Sequence, residues 1–139
     1  MDSPTAFMAV ALAAVSWDGV LTRAGSRALR HSLDYRVPFN QMGDAAMIQL
    51  FDRLLADLRS DGAPILMARA ALQLDPHERR TAFAVAAEIM RSDGPLVAQE
   101  QQILADLAAQ LEIEPSESTR ILEVMDILHA ELVCSPVAA

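Results

Sequence analysis

Apolar residues recur at helical spacing along most of the chain, and almost no stretch shows the alternation expected of a strand. From about Asp44 the apolar positions fall at i, i+3, i+4, i+7, i+8 and i+11, which is one face of an α-helix. The residues on that face are Met47, Leu50, Phe51, Leu54, Leu55 and Leu58. Residues 5–16 and 82–90 are instead apolar nearly all round, which indicates helices buried on most sides.

Capping and breaking residues divide this pattern into seven predicted helices. Thr22 is a capping residue for a helix that runs to about Leu33, and Asp75 caps another that opens on Pro76. Ser3 is predicted to cap the first helix, with Pro4 at its first position, and Pro64 permits a new start after the third. Two more helices are predicted from Val97 and from Pro115, the last with an apolar stripe of Ile121, Val124, Met125, Leu128 and Leu132.

Composition agrees with one helical domain and narrows the classes of ligand. The 139 residues are 53% hydrophobic but only 4% aromatic, which predicts a core of closely packed aliphatic side chains. A formal charge of −8 disfavours nucleic acid and anionic membrane surfaces as ligands. The single cysteine, Cys134, cannot form an internal disulfide, and a cytoplasmic location is the simplest expectation.

The N-terminal run "AFMAVALAAVSW" is apolar enough to be compared with a signal sequence or a membrane span. It has no cationic lead, since Asp2 precedes it, and it ends at Asp18, short of the roughly 20 residues that cross a bilayer. We therefore expect a buried helix and a chain that does not span a membrane.

The two all-round apolar helices are related by an internal repeat. A shift of 93 − 18 = 75 positions places Asp18 on Asp93 and also aligns four further pairs of identical residues. These pairs are Gly19 with Gly94, Leu21 with Leu96, Ala11 with Ala86, and Leu29 with Leu104. Each half therefore has the same order, a buried helix, an Asp-Gly turn and an outer helix.

The stretches "SDGPLVAQEQQILADLAAQLEI" and "AFMAVALAAVSWDGVLT" resemble the two copies of a motif of the tellurite-resistance TerB-like family, which includes the N-terminal domain of DjlA-type co-chaperones. In that motif an apolar helix ends in Asp-Gly, and a glutamate follows seven positions after the aspartate. The resemblance covers nearly the whole chain. It implies an all-α, single compact bundle of about seven helices, internally pseudo-duplicated around two central antiparallel helices, without enzymatic activity.

The resemblance also implies a metal site formed by acidic residues at the Asp-Gly turns. Because carboxylate oxygens suit hard cations, the expected ion is Ca²⁺ or Mg²⁺. The matching residues are Asp18, Asp93 and Glu100, whereas Gly25 stands where the first copy of the motif has its glutamate. A structural alternative stays open, because Asp-Gly commonly ends helices and Glu100 lies at the third position of a helix that begins after Val97. Asp61-Gly62 fits the structural interpretation better, since Ala68 stands seven positions after Asp61, where the motif has its glutamate.

Three other features bear on the site. His31, His77 and His129 have no second histidine or cysteine at i+3 or i+4, so a zinc site is not expected. Trp17 is expected in the core. Leu111, Glu112 and Ile113 stand where the family has Leu-Gly-Ile, so a helix-ending glycine is replaced.

These observations predict a helical domain over residues 1–133 and a short tail over 134–139. The expected function is a bacterial, non-enzymatic module that binds a cation and serves tellurite or stress resistance. The alternative is a purely structural protein–protein adaptor without a metal site. A protein partner is expected in both cases, with the chain a monomer or weak homodimer.

Overall fold

The chain forms seven α-helices, one 3-10 helix and no strand over residues 1–132, which the computed structural model describes. The predicted tail 134–139, with Cys134, lies outside the described residues, as does position 133 at the end of the predicted domain. The α-helices are α1 Ser3–Val15, α2 Arg23–Asp34, α3 Asp44–Asp61, α4 Ala63–Ala71, α5 Pro76–Arg91, α6 Ala98–Gln110 and α7 Pro115–Leu128. The 3-10 helix, Phe39–Gln41, precedes α3 and was not predicted.

Helix α1 lies at the centre of the fold, as its all-round apolar pattern predicts. Every residue from Thr5 to Ala14 is buried, and the five alanines among them let neighbouring helices approach closely. The helix packs most extensively against α4 and α5 and also contacts α2, α3 and α6. Helix α5 is the second buried helix and packs against α1, α2, α6 and α7.

The internal repeat predicted from the sequence is present in the helix boundaries. Moving α2 forward by 75 positions gives 98–109, and α6 spans Ala98–Gln110. The end of α1 at Val15 moves to position 90, and α5 ends at Arg91. Leu29 and its equivalent Leu104 are both fully buried, so the outer helix of each half contributes the same position to the core.

Helix α1 begins one residue earlier than predicted, because Asp2 is its cap. The backbone of Asp2 is extended, and its side chain accepts a hydrogen bond from the backbone N–H of Thr5 at 2.9 Å. Ser3 is therefore the first helical residue, not the cap. The other predicted caps, Thr22 and Asp75, are confirmed, and Asp75 forms a complete capping box with Glu78.

The predicted apolar stripe of the last helix is wrong at its outer positions. Helix α7 ends at Leu128 and has no fully buried residue, while Leu132 lies beyond the helix. Val124, Leu128 and Leu132 are exposed, and of the predicted stripe only Ile121 and Met125 pack against the core. Because α7 packs mainly against α5, no neighbouring helix covers its outer face within the described chain.

Candidate functional site

The first Asp-Gly turn follows the end of α1 and is closed by its own backbone. The N–H of Gly19 donates to the carbonyl of Ser16 at 2.9 Å, and Asp18 Oδ1 accepts from the N–H of Val20 at 3.0 Å. Gly19 has φ +83°, a conformation that a residue with a Cβ adopts only with strain. The carboxylate of Asp18 thus lies on the surface and uses one oxygen to hold the turn.

The second turn, at the end of α5, repeats the backbone hydrogen bond of the first turn but not its side-chain hydrogen bond. The N–H of Gly94 donates to the carbonyl of Arg91 at 3.1 Å, and Gly94 also has a positive φ, +124°. Positions 16 and 91 are equivalent under the 75-residue shift, as are 19 and 94. Asp93 is exposed, and no residue of the described chain donates a hydrogen bond to its carboxylate.

Each turn is connected by an arginine to a different neighbouring helix. Arg59, near the end of α3, donates from Nε to the carbonyl of Gly19 at 3.4 Å. Arg91, at the end of α5, donates from Nε to Asp126 Oδ1 on α7 at 3.0 Å. The two turns share one backbone hydrogen bond and a glycine with positive φ, but their surroundings differ.

Asp61-Gly62 separates helices, as predicted. Helix α3 ends at Asp61, and Gly62 joins it directly to α4 with φ +86°. The carboxylate of Asp61 forms an ion pair with Arg69 of α4, Oδ2 to Nη2, at 3.0 Å. This aspartate therefore reinforces the junction of two helices.

Glu100 has the structural role that the sequence left open. Its Oε1 accepts a hydrogen bond from the backbone N–H of Val97 at 3.0 Å, at the start of α6. Val97 has no acceptor in its side chain, so Glu100 supplies the capping interaction that a polar residue would otherwise share. A carboxylate in the first helical turn also interacts favourably with the helix dipole.

The donor set does not fit one ion held by all three acids. Within residues 1–132 no group of three or more His, Cys, Asp or Glu side chains is placed to hold a metal ion. Asp18 and Glu100 each use an oxygen on a backbone N–H, whereas Ca²⁺ takes six to eight oxygen ligands. Binding of Ca²⁺ or Mg²⁺ at these acids stays a prediction.

Trp17 is on the surface, contrary to the expectation that it completes the core. Its exposed fraction is 40%, and it lies at the edge of a groove of about 450 Å³ between α4 and α6. Pro64, Met67 and Ile103 also line this groove. Trp17 lies two residues beyond the end of α1 at Val15, outside the buried run Thr5–Ala14 of that helix.

A larger groove, of about 810 Å³, lies between α2 and α3, beside the first Asp-Gly turn. Its charged side chains are mostly cationic: four arginines line it together with Asp34 and Asp52. The arginines are Arg23, Arg27, Arg30 and Arg59. They make up four of the eleven cationic residues of an acidic chain.

The groove was not predicted, although part of its pattern is visible in the sequence. Arg23, Arg27 and Arg30 follow each other at i, i+4 and i+7 and therefore share one face of α2. That spacing could have identified a cationic helix face. Arg59 could not have been assigned to the same surface, because it belongs to α3 and only the packing of α3 beside α2 places it in the groove.

No helix within residues 1–132 has both the length and the apolarity required to cross a lipid bilayer.

The family assignment agrees with this architecture. The model of the family "Tellurite resistance protein TerB" matches residues 4–123. The match includes helices α2 to α6 completely, α1 except its first residue, and α7 as far as Glu123. No curated protein and no solved structure matches the chain. Because the match extends over most of the 139 residues, the chain belongs to the TerB family of tellurite resistance proteins.

Proposed function

We propose that this TerB domain is a non-enzymatic protein-binding module that acts in the bacterial cytoplasm and contributes to resistance against tellurite or related stress. In this proposal the helical bundle is a fixed scaffold, and the groove between α2 and α3, here called the arginine groove, is the surface that a partner protein contacts. Family membership supports the link to tellurite resistance.

The observation that carries the proposal is the concentration of cationic side chains in the arginine groove of a chain with a net charge of −8. Arg23 and Arg27 are exposed, and neither forms an ion pair or side-chain hydrogen bond with another described residue. Exposed, unpaired arginines beside apolar side chains are typical of protein interfaces, where arginine is enriched.

Cation-dependent binding is the second candidate, and the geometry favours it less. The carboxylates of Asp18 and Glu100 already stabilise a turn and a helix start, and Asp93 lies exposed without a cluster of acidic partners. We propose that Asp18 and Glu100 support the scaffold that presents the arginine groove. Their role in that case is structural and does not depend on metal.

A complementation experiment tests the proposed function. A bacterial strain whose own TerB gene is deleted receives the wild-type chain, Arg23→Glu/Arg27→Glu, or the matched control Arg53→Glu/Arg120→Glu, and growth on tellurite is measured. Arg53 and Arg120 are exposed, lie outside the groove and form no ion pair within residues 1–132, and both double variants change the net charge equally.

We expect the wild-type chain and the control to restore growth and the groove variant to fail at equal protein level. Full rescue by the groove variant would show that the groove is not the functional surface. Failure of the wild-type chain would contradict the link to tellurite.

A further inference from the structure

We infer that the arginine groove binds an acidic amphipathic helix of a partner protein, with arginines of α2 pairing to its carboxylates and the apolar floor of the groove receiving its aliphatic side chains. This inference rests on the proposed function and assigns the chemical class of the partner.

The charge of the groove is not fully balanced by ion pairs within residues 1–132. Arg30 is paired, with Asp34 Oδ1 at 3.4 Å and with Asp44 Oδ1 at 2.8 Å. Arg23 and Arg27, one turn apart on the same face, have no such partner in the described chain. Two guanidinium groups are therefore free to form bidentate hydrogen bonds with carboxylates.

The start of α2 also differs electrostatically from the starts of four other helices, although α1 and α4 likewise have no acid in the first turn. Four helices carry an acid in the first turn, which complements the helix dipole; these are Asp44 of α3, Glu78 of α5, Glu100 of α6 and Glu117 of α7. Helix α2 has no acid there and begins with Arg23. Placing a cation at this end is unfavourable for folding, and an external carboxylate would remove the conflict.

The floor of the groove is apolar and partly open to solvent. It is formed by half-buried side chains that pack against the hydrophobic core, namely Leu21, Phe51 and Leu55. Ile48, on the same side of α3, is 54% exposed. This combination of an aliphatic floor and a cationic wall complements a helix with leucines on one face and carboxylates beside them.

The size of the groove and the charge of the chain favour a peptide over other anions. A volume of about 810 Å³ exceeds the space that one small anion occupies and can receive several side chains. Nucleic acid and anionic membranes extend beyond the groove and would be repelled by the rest of a domain with net charge −8. A short acidic helix would lie within the groove, close to the arginines, and salt screens its repulsion from the more distant acids.

The test is fluorescence anisotropy with a labelled peptide of about 18 residues, in which leucine and glutamate repeat at helical spacing. A second peptide has glutamine in place of every glutamate. Both are titrated with the wild-type chain, with Arg23→Glu/Arg27→Glu, and with the control Arg53→Glu/Arg120→Glu. Circular dichroism verifies that each variant is folded, and Arg23→Gln/Arg27→Gln replaces the charge reversal if that variant is not.

We expect the wild-type chain to bind the acidic peptide and the groove variant to bind it at least about tenfold more weakly, while the control changes the Kd by less than about threefold. The glutamine peptide should bind more weakly than the acidic one. Equal effects of the two double variants, or equal affinity for the two peptides, would overturn the inference. Displacement of the acidic peptide by inorganic phosphate, or stronger binding to phosphatidylserine vesicles, would overturn it as well.

This experiment can fail independently of the complementation experiment. If the groove variant loses tellurite resistance but the wild-type chain does not bind the acidic peptide, the groove is functional and the assigned partner class is wrong. If the peptide binds but growth does not depend on the groove, the proposed function is wrong, although the groove accepts acidic helices.

Discussion

Gly25 and Glu100 occupy equivalent positions in the two halves of the fold, and each takes part in the hydrogen bond that starts its helix. Positions 25 + 75 = 100 and 22 + 75 = 97 pair Gly25 with Glu100 and Thr22 with Val97. In the first half the N–H of Gly25 donates to Thr22 Oγ1 at 3.0 Å. In the second half the N–H of Val97 donates to Glu100 Oε1 at 3.0 Å. Each half therefore retains one of the two hydrogen bonds of a capping box.

Packing opposes a glutamate at position 25. A Cβ on Gly25 would lie 3.1 Å from Thr22 Oγ1 and 3.2 Å from Val15 Cγ2, closer than ordinary van der Waals contact. The first half thus combines a hydroxyl cap with a tight helix contact, whereas the second half has room for a carboxylate. This difference accounts for the departure from the family motif without reference to a metal.

The capping role of Glu100 predicts the effect of two substitutions in α6. Glu100→Ala removes the hydrogen bond to Val97 and should lower the free energy of unfolding by about 1 kcal/mol. Val97→Thr adds the hydroxyl that the first half has at Thr22 and should raise it by about 0.5 kcal/mol. Urea denaturation measures both changes. Gln99→Ala, at an exposed position of the same turn, is the control and should have little effect. If it lowered the free energy of unfolding as much as Glu100→Ala, the capping role would be contradicted.

A residue just after the end of α6 has a left-handed backbone conformation, and it stands where the family has a glycine. Glu112 has φ +56°, and the N–H of Ile113 donates to the carbonyl of Ala108 at 2.9 Å, as in a Schellman motif. We expect Glu112→Gly to raise the free energy of unfolding by about 1 kcal/mol, because glycine adopts this conformation without strain.

Glu112→Ala separates backbone strain from loss of the ion pair between Glu112 and Arg79, whose atoms Oε2 and Nη1 lie 3.6 Å apart. That pair is largely exposed on the glutamate side and contributes little. The alanine variant should therefore be no more stable than the wild-type chain. If both variants were equally stabilised in thermal unfolding, backbone conformation would not be the cause.

Much of the helical architecture can be predicted from local signals, and the failures have a tertiary origin. Thr22 and Asp75 act as caps because the chemistry of the helix start is contained within three or four residues. The exposure of Trp17 and of the outer face of α7 depends on which helices lie nearby, and helical periodicity carries no such information. The shared face of the α2 arginines was visible in the sequence because their spacing is local. The position of Arg59 beside them depends on the packing of α3 and was not.

Addition of divalent cations tests the remaining site prediction. A Ca²⁺ or Mg²⁺ ion that bound only the native state would stabilise it by about 2.7 kcal/mol at a hundredfold excess over its Kd, which raises the Tm by several degrees. Because the acids form no three-ligand cluster, we expect the same Tm in EDTA, Ca²⁺, Mg²⁺ and Mn²⁺. A rise in Tm with one cation that Asp93→Asn abolishes, and that Asp61→Asn retains, would establish a site at the second turn.

The cap of α1 predicts a pH dependence of stability in acid. Hydrogen bonds from the Thr5 side chain and the Thr5 backbone N–H lower the pKa of Asp2 below its ordinary value of 3.8. The ionised cap therefore stabilises the native state above that value, and the contribution is lost as the pH falls through the lowered native pKa. Asp2→Ala should cost about 1 kcal/mol at neutral pH and progressively less in acid, as measured by urea denaturation between about pH 2 and pH 7. Asp2→Asn is the control, because asparagine caps a helix without a charge and its stability relative to Asp2→Ala should not follow this titration. If the cost of Asp2→Ala stayed constant down to about pH 2, the ionised carboxylate would not be the stabilising group.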